Sequence, residues 1–432
     1  MPDTQDRVQR TINRLVESGA ERGIQVAAYR SRDQIVDAVA GIADPATGRA
    51  VTADTPFYNF SIGKGVTATI AHLLAEHGAF AYRTPVAELW PEFAAHGKDS
   101  VTVWHVLSHT AGVPGLPLDS TVEDVCDWDH ICSAIADAEL WWEPGSRMGY
   151  HAYSFGFIVG EIVRRATGRR ISQVLLDDVA KPLGVGDQLR FGIPETEQGR
   201  LAVLEDAPRD PDAPDPFADM PADLPMFKAG PMTLMPTAEL GNRPDMLAAD
   251  IPAGGKTSAG AIAKMYAALL GNIEGVHLVS PDRLRQATEV AFSGQDEVFG
   301  TRSTWGLGYA LGGPGRLDQH GHLRDGGCRR QLGRRRSVHR PGGGGDEERA
   351  VRRLPDGRHD RLADRRLTQS HCVAAANRPA RSAATSSCTR ALGLEGHRFE
   401  LRNFDRACPA SNGVALGRPW NAAEIKRQHG PE

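Results

Sequence analysis

Asn59-Phe60-Ser61-Ile62-Gly63-Lys64-Gly65-Val66 sets a serine and a lysine three residues apart at a predicted helix start. Ile62, Val66, Ile70, Leu73 and Leu74 continue from it at helical spacing as far as Gly78, so Ser61 falls in the first turn. Residues three apart share a helix face, which brings the Lys64 amine within reach of the Ser61 hydroxyl. A serine hydroxyl is a poor nucleophile until a base takes its proton. The positive helix end and partial burial both disfavour a charged lysine and move it toward that role. The Ser61 N–H, unsatisfied at a helix start, is available to a substrate oxyanion. Alone the motif is ambiguous, because serines begin helices and lysines cover their outer faces routinely.

The chain has 432 residues, long enough for two lobes around a real core. A net charge of −4 argues against nucleic-acid or membrane-surface partners and leaves small molecules. No apolar run follows the polar start Met1-Pro2-Asp3-Thr4-Gln5, so a cytoplasmic protein is expected. Only Cys126 and Cys132 precede residue 320 and no Cys-x-x-Cys occurs, so neither a disulfide framework nor a structural zinc is expected.

Val8, Ile12, Leu15 and Val16 predict an amphipathic helix over 5–18, and 24–30 with 34–40 predict an antiparallel hairpin. Residues 85–290 are mostly helical in pattern, interrupted by the Pro/Asp-rich run 205–225, which reads as a long surface loop, a candidate lid or wall of a site. A helix resumes at 258–270. Near 304–311 the text turns strand-like, as if rejoining the opening sheet.

Beyond that point the composition changes. Residues 324–366 hold 14 arginines and no lysine, phenylalanine, tyrosine or tryptophan, and 342–345 are all glycine. A disordered basic tail has this composition. We hypothesise instead a reading-frame slip near 323–328. With GC-rich codons, residues 328–336 read one base later become Ala-Gly-Gly-Ser-Ser-Ala-Gly-Gly-Asp, and the continuation alternates like a strand. Resequencing the gene tests this; an unslipped frame refutes it. Residues 324–432 are expected to pack poorly and hold little regular sheet.

Other segments resolve the ambiguity of the opening motif. Phe60-Ser61-Ile62-Gly63-Lys64, residues 106–113 (Val-Leu-Ser-His-Thr-Ala-Gly-Val), Glu143-Pro144-Gly145, Gly149-Tyr150-His151-Ala152 and 156–160 (Gly-Phe-Ile-Val-Gly) stand in order. Together they resemble the serine β-lactamase-like superfamily, in particular its family VIII carboxylesterases, which are related to class C β-lactamases and D-alanyl-D-alanine carboxypeptidases. Residues 181–185 and 254–258 fit too, so the resemblance spans about residues 5–323.

It implies an α+β fold of β-lactamase/transpeptidase type, an antiparallel sheet flanked by helices with an all-helical domain inserted. The sheet domain would comprise 1–84 and 290–323 and the helical domain 85–289, with the site in the cleft between them. It also implies a serine carboxylesterase acting on a small-molecule ester of short acyl chain through an acyl-enzyme, with no metal or cofactor. Ser61 would be the nucleophile, with Lys64 and Tyr150 sharing its proton. A phenol beside an ammonium is acidified enough for that exchange. Tyr153, three residues on, is the rival. Ala152 stands where the lactamases carry the asparagine that helps hold the lactam amide. His322, in Gly321-His322-Leu323, is the candidate for the third motif, with His320 as rival; Trp305 and His151 complete the expected substrate contacts. The second oxyanion N–H would come from the strand just past His322, where the text breaks down.

Several motifs are set aside. Asp250 occupies the first glycine position that a phosphate loop ending at 254–257 requires, and 256–260 lacks the leading glycine of a nucleophile elbow. His105 and His109, four apart, have neither a following glutamate nor a third ligand and read as structural. The alternatives to an esterase are a β-lactamase or D-alanyl-D-alanine peptidase using the same serine, and a catalytically silent binding protein with an altered C-terminal part. Oligomeric state is not legible.

Overall fold

Helix α1 (Thr4–Glu17) starts where Asp3 accepts a hydrogen bond from the Thr4 N–H, and it buries Val8 and Ile12 as the spacing predicts. Strands β1 (Gly23–Arg30) and β2 (Asp33–Asp44) pair antiparallel from Gly23↔Gly41 to Arg30↔Asp33. Side chains alternate across a strand. Ile24, Val26 and Ala28 therefore pack with Val8 and Ile12 of α1, while Ala27 and Tyr29 join the main core. The computed structural model describes residues 3–207, 220–221, 223–311 and 370–377, which belong to one compact unit.

Strand β3 (Arg49–Ala50) extends the sheet beyond β2. Strand β4 (Phe57–Tyr58) then leads through a single 3-10 turn, Phe60–Ile62, into α2 (Gly63–Glu76). Residues Gly63 to Ala75 of α2 are all buried. A helix enclosed on every side is central rather than superficial. Its buried polar groups are accordingly satisfied: Thr67 Oγ1 donates to the Pro252 carbonyl at 2.7 Å, and the His72 ring bonds the Tyr82 hydroxyl at 2.7 Å and the Leu307 carbonyl at 2.9 Å.

The helical region supplies α3 (Val103–Leu107), α4 (Trp128–Ala136) and α5 (Ser154–Thr167), the last packed on α2. Strands β5 (Leu189–Arg190) and β6 (Lys256–Thr257) join β4 in a small sheet ordered β4-β6-β5. Helix α6 (Ala259–Leu269) follows, capped by Ser258. No helix among the described residues is long and apolar enough to cross a membrane.

The strand-like text near 304 does not rejoin the opening sheet. Strand β8 (Arg302–Trp305) pairs with β7 (Phe292–Gln295) in a separate hairpin. A short connection makes that local pairing cheap in loop entropy, and Asp296 pins the turn through hydrogen bonds from the Val298 and Phe299 N–H groups. The position beside β1 is filled by β9 (Ser370–Asn377), antiparallel from Gly23↔Asn377 to Arg30↔Ser370. This stretch, Ser-His-Cys-Val-Ala-Ala-Ala-Asn, is free of the arginines that crowd the segment before it. The remainder of 324–432, His320, His322, the oxyanion strand and most of the 205–225 loop lie outside the described residues.

Candidate active site

The approach to Ser61 is strained. Phe60 has φ +43°, in the left-handed region that a bulky side chain rarely occupies. A conformation of this kind costs about 1–3 kcal/mol and persists only when its surroundings fix it. Here the Phe60 ring packs on Tyr58 with centroids 4.5 Å apart, and the Asn59 N–H donates to the Gly255 carbonyl at 2.8 Å. The Ser61 N–H makes no hydrogen bond among the described residues.

Gly63 permits the next contact. A Cβ there would lie 2.1 Å from the Gly254 carbonyl oxygen, so only glycine lets α2 meet the 252–255 backbone this closely. As a result Lys64, 4% exposed, donates from Nζ to Ser61 Oγ at 3.1 Å and to the Ala253 carbonyl at 3.3 Å. The same amine lies 4.9 Å from the centroid of the Tyr150 ring, at cation–π distance.

Tyr150 belongs to a segment without helix or strand, held residue by residue. Met148 accepts from Glu297 N at 2.9 Å, Gly149 N donates to the His109 carbonyl at 3.2 Å, Tyr150 N to Asp296 Oδ1 at 3.2 Å and His151 N to His109 Nδ1 at 3.1 Å. The Tyr150 ring packs against His109 at 5.1 Å, Phe299 at 5.7 Å and Trp305 at 5.9 Å. His109 itself has φ +60° just beyond the end of α3, which puts it off the helix face that His105 shares. His105 instead accepts from the Thr102 N–H in a capping box.

The electrostatics follow from burial. Desolvation, His151 and Lys64 push the His109 imidazole well below its ordinary range, so it is neutral and carries its proton on Nε2, the nitrogen opposite its acceptor. Burial pushes His151 down to about 4. Burial raises the Asp296 carboxyl above its usual range, against N–H donors from Val298, Phe299 and Tyr150 that draw it back. His109 Nε2 and Trp305 Nε1 are buried without a partner among the described residues.

The structure thus brings Ser61, Lys64 and Tyr150 together. Trp305 joins them as a nearly buried wall against Tyr150 and His109. His151 is fully buried, its ring bonded to the Gly149 carbonyl at 2.6 Å and accepting from the Val113 N–H at 3.3 Å, which makes it a brace of the segment. The rival Tyr153 donates its hydroxyl to the Leu234 carbonyl at 2.8 Å. Sequence reasoning missed the Ala253 carbonyl, Asp296 and Phe299, none of which carries a local signal. Among the described residues no group of three or more His, Cys, Asp or Glu could hold a metal ion.

A family model described as Beta-lactamase matches residues 8–347, and the chain belongs to this family. Its fold is of the β-lactamase/transpeptidase type, mixed α+β. The chain is 32% identical over 268 residues to the esterase/beta-lactamase LipL of Mycobacterium tuberculosis, a match that covers 60% of this chain and 61% of that protein. The chain therefore spans less than two thirds of this relative's length. A family VIII carboxylesterase structure matches at 32% identity with a TM-score of 0.64, covering 72% of this chain and 82% of that one. A penicillin-binding protein homolog from Caulobacter crescentus matches at 30% identity with a TM-score of 0.62, covering 73% and 82%.

Proposed function

We propose that this chain is a serine hydrolase that cleaves small carboxylic esters of short acyl chain through an acyl-enzyme on Ser61. The observation that carries the reading is the 3.1 Å contact between Lys64 Nζ and Ser61 Oγ beside the Tyr150 ring. Ser61 Oγ attacks the ester carbonyl as its proton passes to the Lys64–Tyr150 pair. The same pair returns that proton to the departing alkoxide, and water then attacks the acyl-enzyme to release the acid and regenerate Ser61. The Ser61 N–H supplies one donor to the oxyanion.

Two features favour an ester over a lactam. Ala152 stands where a lactamase holds the amide through an asparagine, and the Phe299 and Trp305 rings beside Tyr150 suit an apolar acyl or alcohol group. Comparison of p-nitrophenyl butyrate with nitrocefin tests the choice, and the relative named as both esterase and β-lactamase makes nitrocefin the right comparator. The expected result is a far higher kcat/KM for the ester. A preference for nitrocefin overturns it.

A further inference from the structure

Tyr150 can trade a proton with Ser61 only if its backbone is fixed, and no regular element fixes it. Of the ties that residues 148–151 make through the Met148 carbonyl and the N–H groups of Gly149, Tyr150 and His151, three run to backbone atoms or to His109. The fourth runs from the Tyr150 N–H to a carboxylate on the β7–β8 turn, 146 residues away in sequence. We propose that Asp296 is the positioning residue for Tyr150, its single oxygen Oδ1 locking together the backbone of the proton carrier and the turn that packs on its ring. The proposal rests on the role assigned to Tyr150 above.

Three N–H groups converge on Oδ1: Val298 at 2.9 Å, Phe299 at 3.2 Å and Tyr150 at 3.2 Å. The first two set the turn, which places the Phe299 ring on Tyr150 and the Val298 side chain over Gly149. A Cβ at Gly149 would lie 2.9 Å from Val298 Cγ2 and 2.5 Å from the Trp142 ring, so this face is closed. The turn is sealed from the other side as well, by Asp296 N to the Thr301 carbonyl at 2.8 Å and by Glu297 N to the Met148 carbonyl at 2.9 Å. Asp296 is 4% exposed and no basic side chain pairs with it among the described residues. A buried carboxylate without a counter-ion carries a desolvation penalty that N–H donors only partly offset. An apolar residue in the same turn would avoid that penalty but could not hold the Tyr150 N–H.

The test is a double-mutant cycle between Asp296 and Tyr150, read as kcat and KM for p-nitrophenyl butyrate per active site counted by fluorophosphonate labelling. Asp296→Ala should lower kcat about 10²-fold, the scale of a misplaced catalytic group, with a much smaller change in KM. Asp296→Asn keeps an oxygen that accepts the same three N–H groups and should retain most of the rate. Asp296→Ala combined with Tyr150→Phe should be no slower than Tyr150→Phe alone, because a misplaced phenol and an absent one are the same loss. If the alanine protein does not fold, Asp296→Leu, close to the aspartate in shape and without an acceptor, takes its place in the cycle. A wild-type rate for the Asp296 variant, an asparagine variant as slow as the alanine one, or losses that multiply in the double variant would each overturn the positioning role. If Tyr150→Phe is itself fully active, the reading of Tyr150 fails and the proposal falls with it; if it is slow while Asp296→Ala is not, the positioning role alone is refuted.

Discussion

Among the described residues three lysines are buried, Lys64, Lys98 and Lys256, and the first and last of them stand in contrasting surroundings. Lys64, on the first turn of α2, reaches a serine hydroxyl beside an aromatic ring. Lys256, on β6, is fully buried and lies 5.0 Å from the Tyr58 ring centroid, yet its amine donates to the carbonyls of Phe191 and Ala249. Burial pushes Lys256 down to about 7, with Asp250 opposing. A lysine poised near neutrality is a common mark of a catalytic site, but Lys256 faces acceptors and has nothing to deprotonate. Burial is common to both lysines; the hydroxyl at 3.1 Å is what sets Lys64 apart.

The largest expected separation between the two is kinetic. Lys64→Ala should reduce kcat/KM for p-nitrophenyl butyrate by about 10³-fold or more, whereas Lys256→Met should leave turnover close to wild type at neutral pH. Equal losses would erase the distinction. Tyr150→Phe should cost about 10²-fold or more, since it removes a proton carrier and keeps the ring; Tyr153→Phe, which loses only the bond to Leu234, should stay near the wild-type rate.

Smaller effects appear in stability. The folded pKa of Lys256 lies near 7 and the unfolded value near 10.5, so between those limits the unfolded chain holds a proton that the native state has released. Stability from this group is complete above pH 10.5 and is lost as pH falls toward 7. Denaturant titrations should therefore show the difference between wild type and Lys256→Met changing by up to about 1.4 kcal/mol per pH unit across that window. A constant difference would mean that Lys256 is not held neutral by the fold.

The buried histidines act at lower pH. Burial sets His72 and His151 at about 4, against an ordinary 6.5, and holds His109 well below that ordinary value. As pH falls from 6.5 toward 4 the unfolded chain takes up protons that the native state refuses, so unfolding free energy should decline, by up to about 1.4 kcal/mol per pH unit for each histidine. His151→Gln should show a shallower decline than wild type in urea titrations at pH 7 and 5; an unchanged slope would indicate that His151 titrates normally.

What the sequence disclosed follows from the range of each interaction. Ser61 and Lys64 are three residues apart on one turn, so spacing alone suggests their contact. Tyr150 came from resemblance, which preferred it to Tyr153 because the downstream glycines align better with it; in the structure the Tyr150 ring lies beside Lys64 and the Tyr153 hydroxyl is tied to Leu234. Helix α1, the β1–β2 hairpin and α6 were legible because each repeats a local period. Asp296 and the Ala253 carbonyl were not, because they act across 146 and 189 residues. The 304–311 stretch has strand composition, but composition does not name a partner, and the β7–β8 hairpin took it. Gly63 carried a readable signal, a glycine inside a helix start, whose meaning needed the approach of Gly254.

Intact-protein mass spectrometry after reaction with a fluorophosphonate probe tests the central claim most directly. Wild type should gain one adduct that maps to Ser61, and Ser61→Ala should gain none. Labelling at another residue, or undiminished labelling of the Ser61→Ala protein, would contradict Ser61 as the nucleophile.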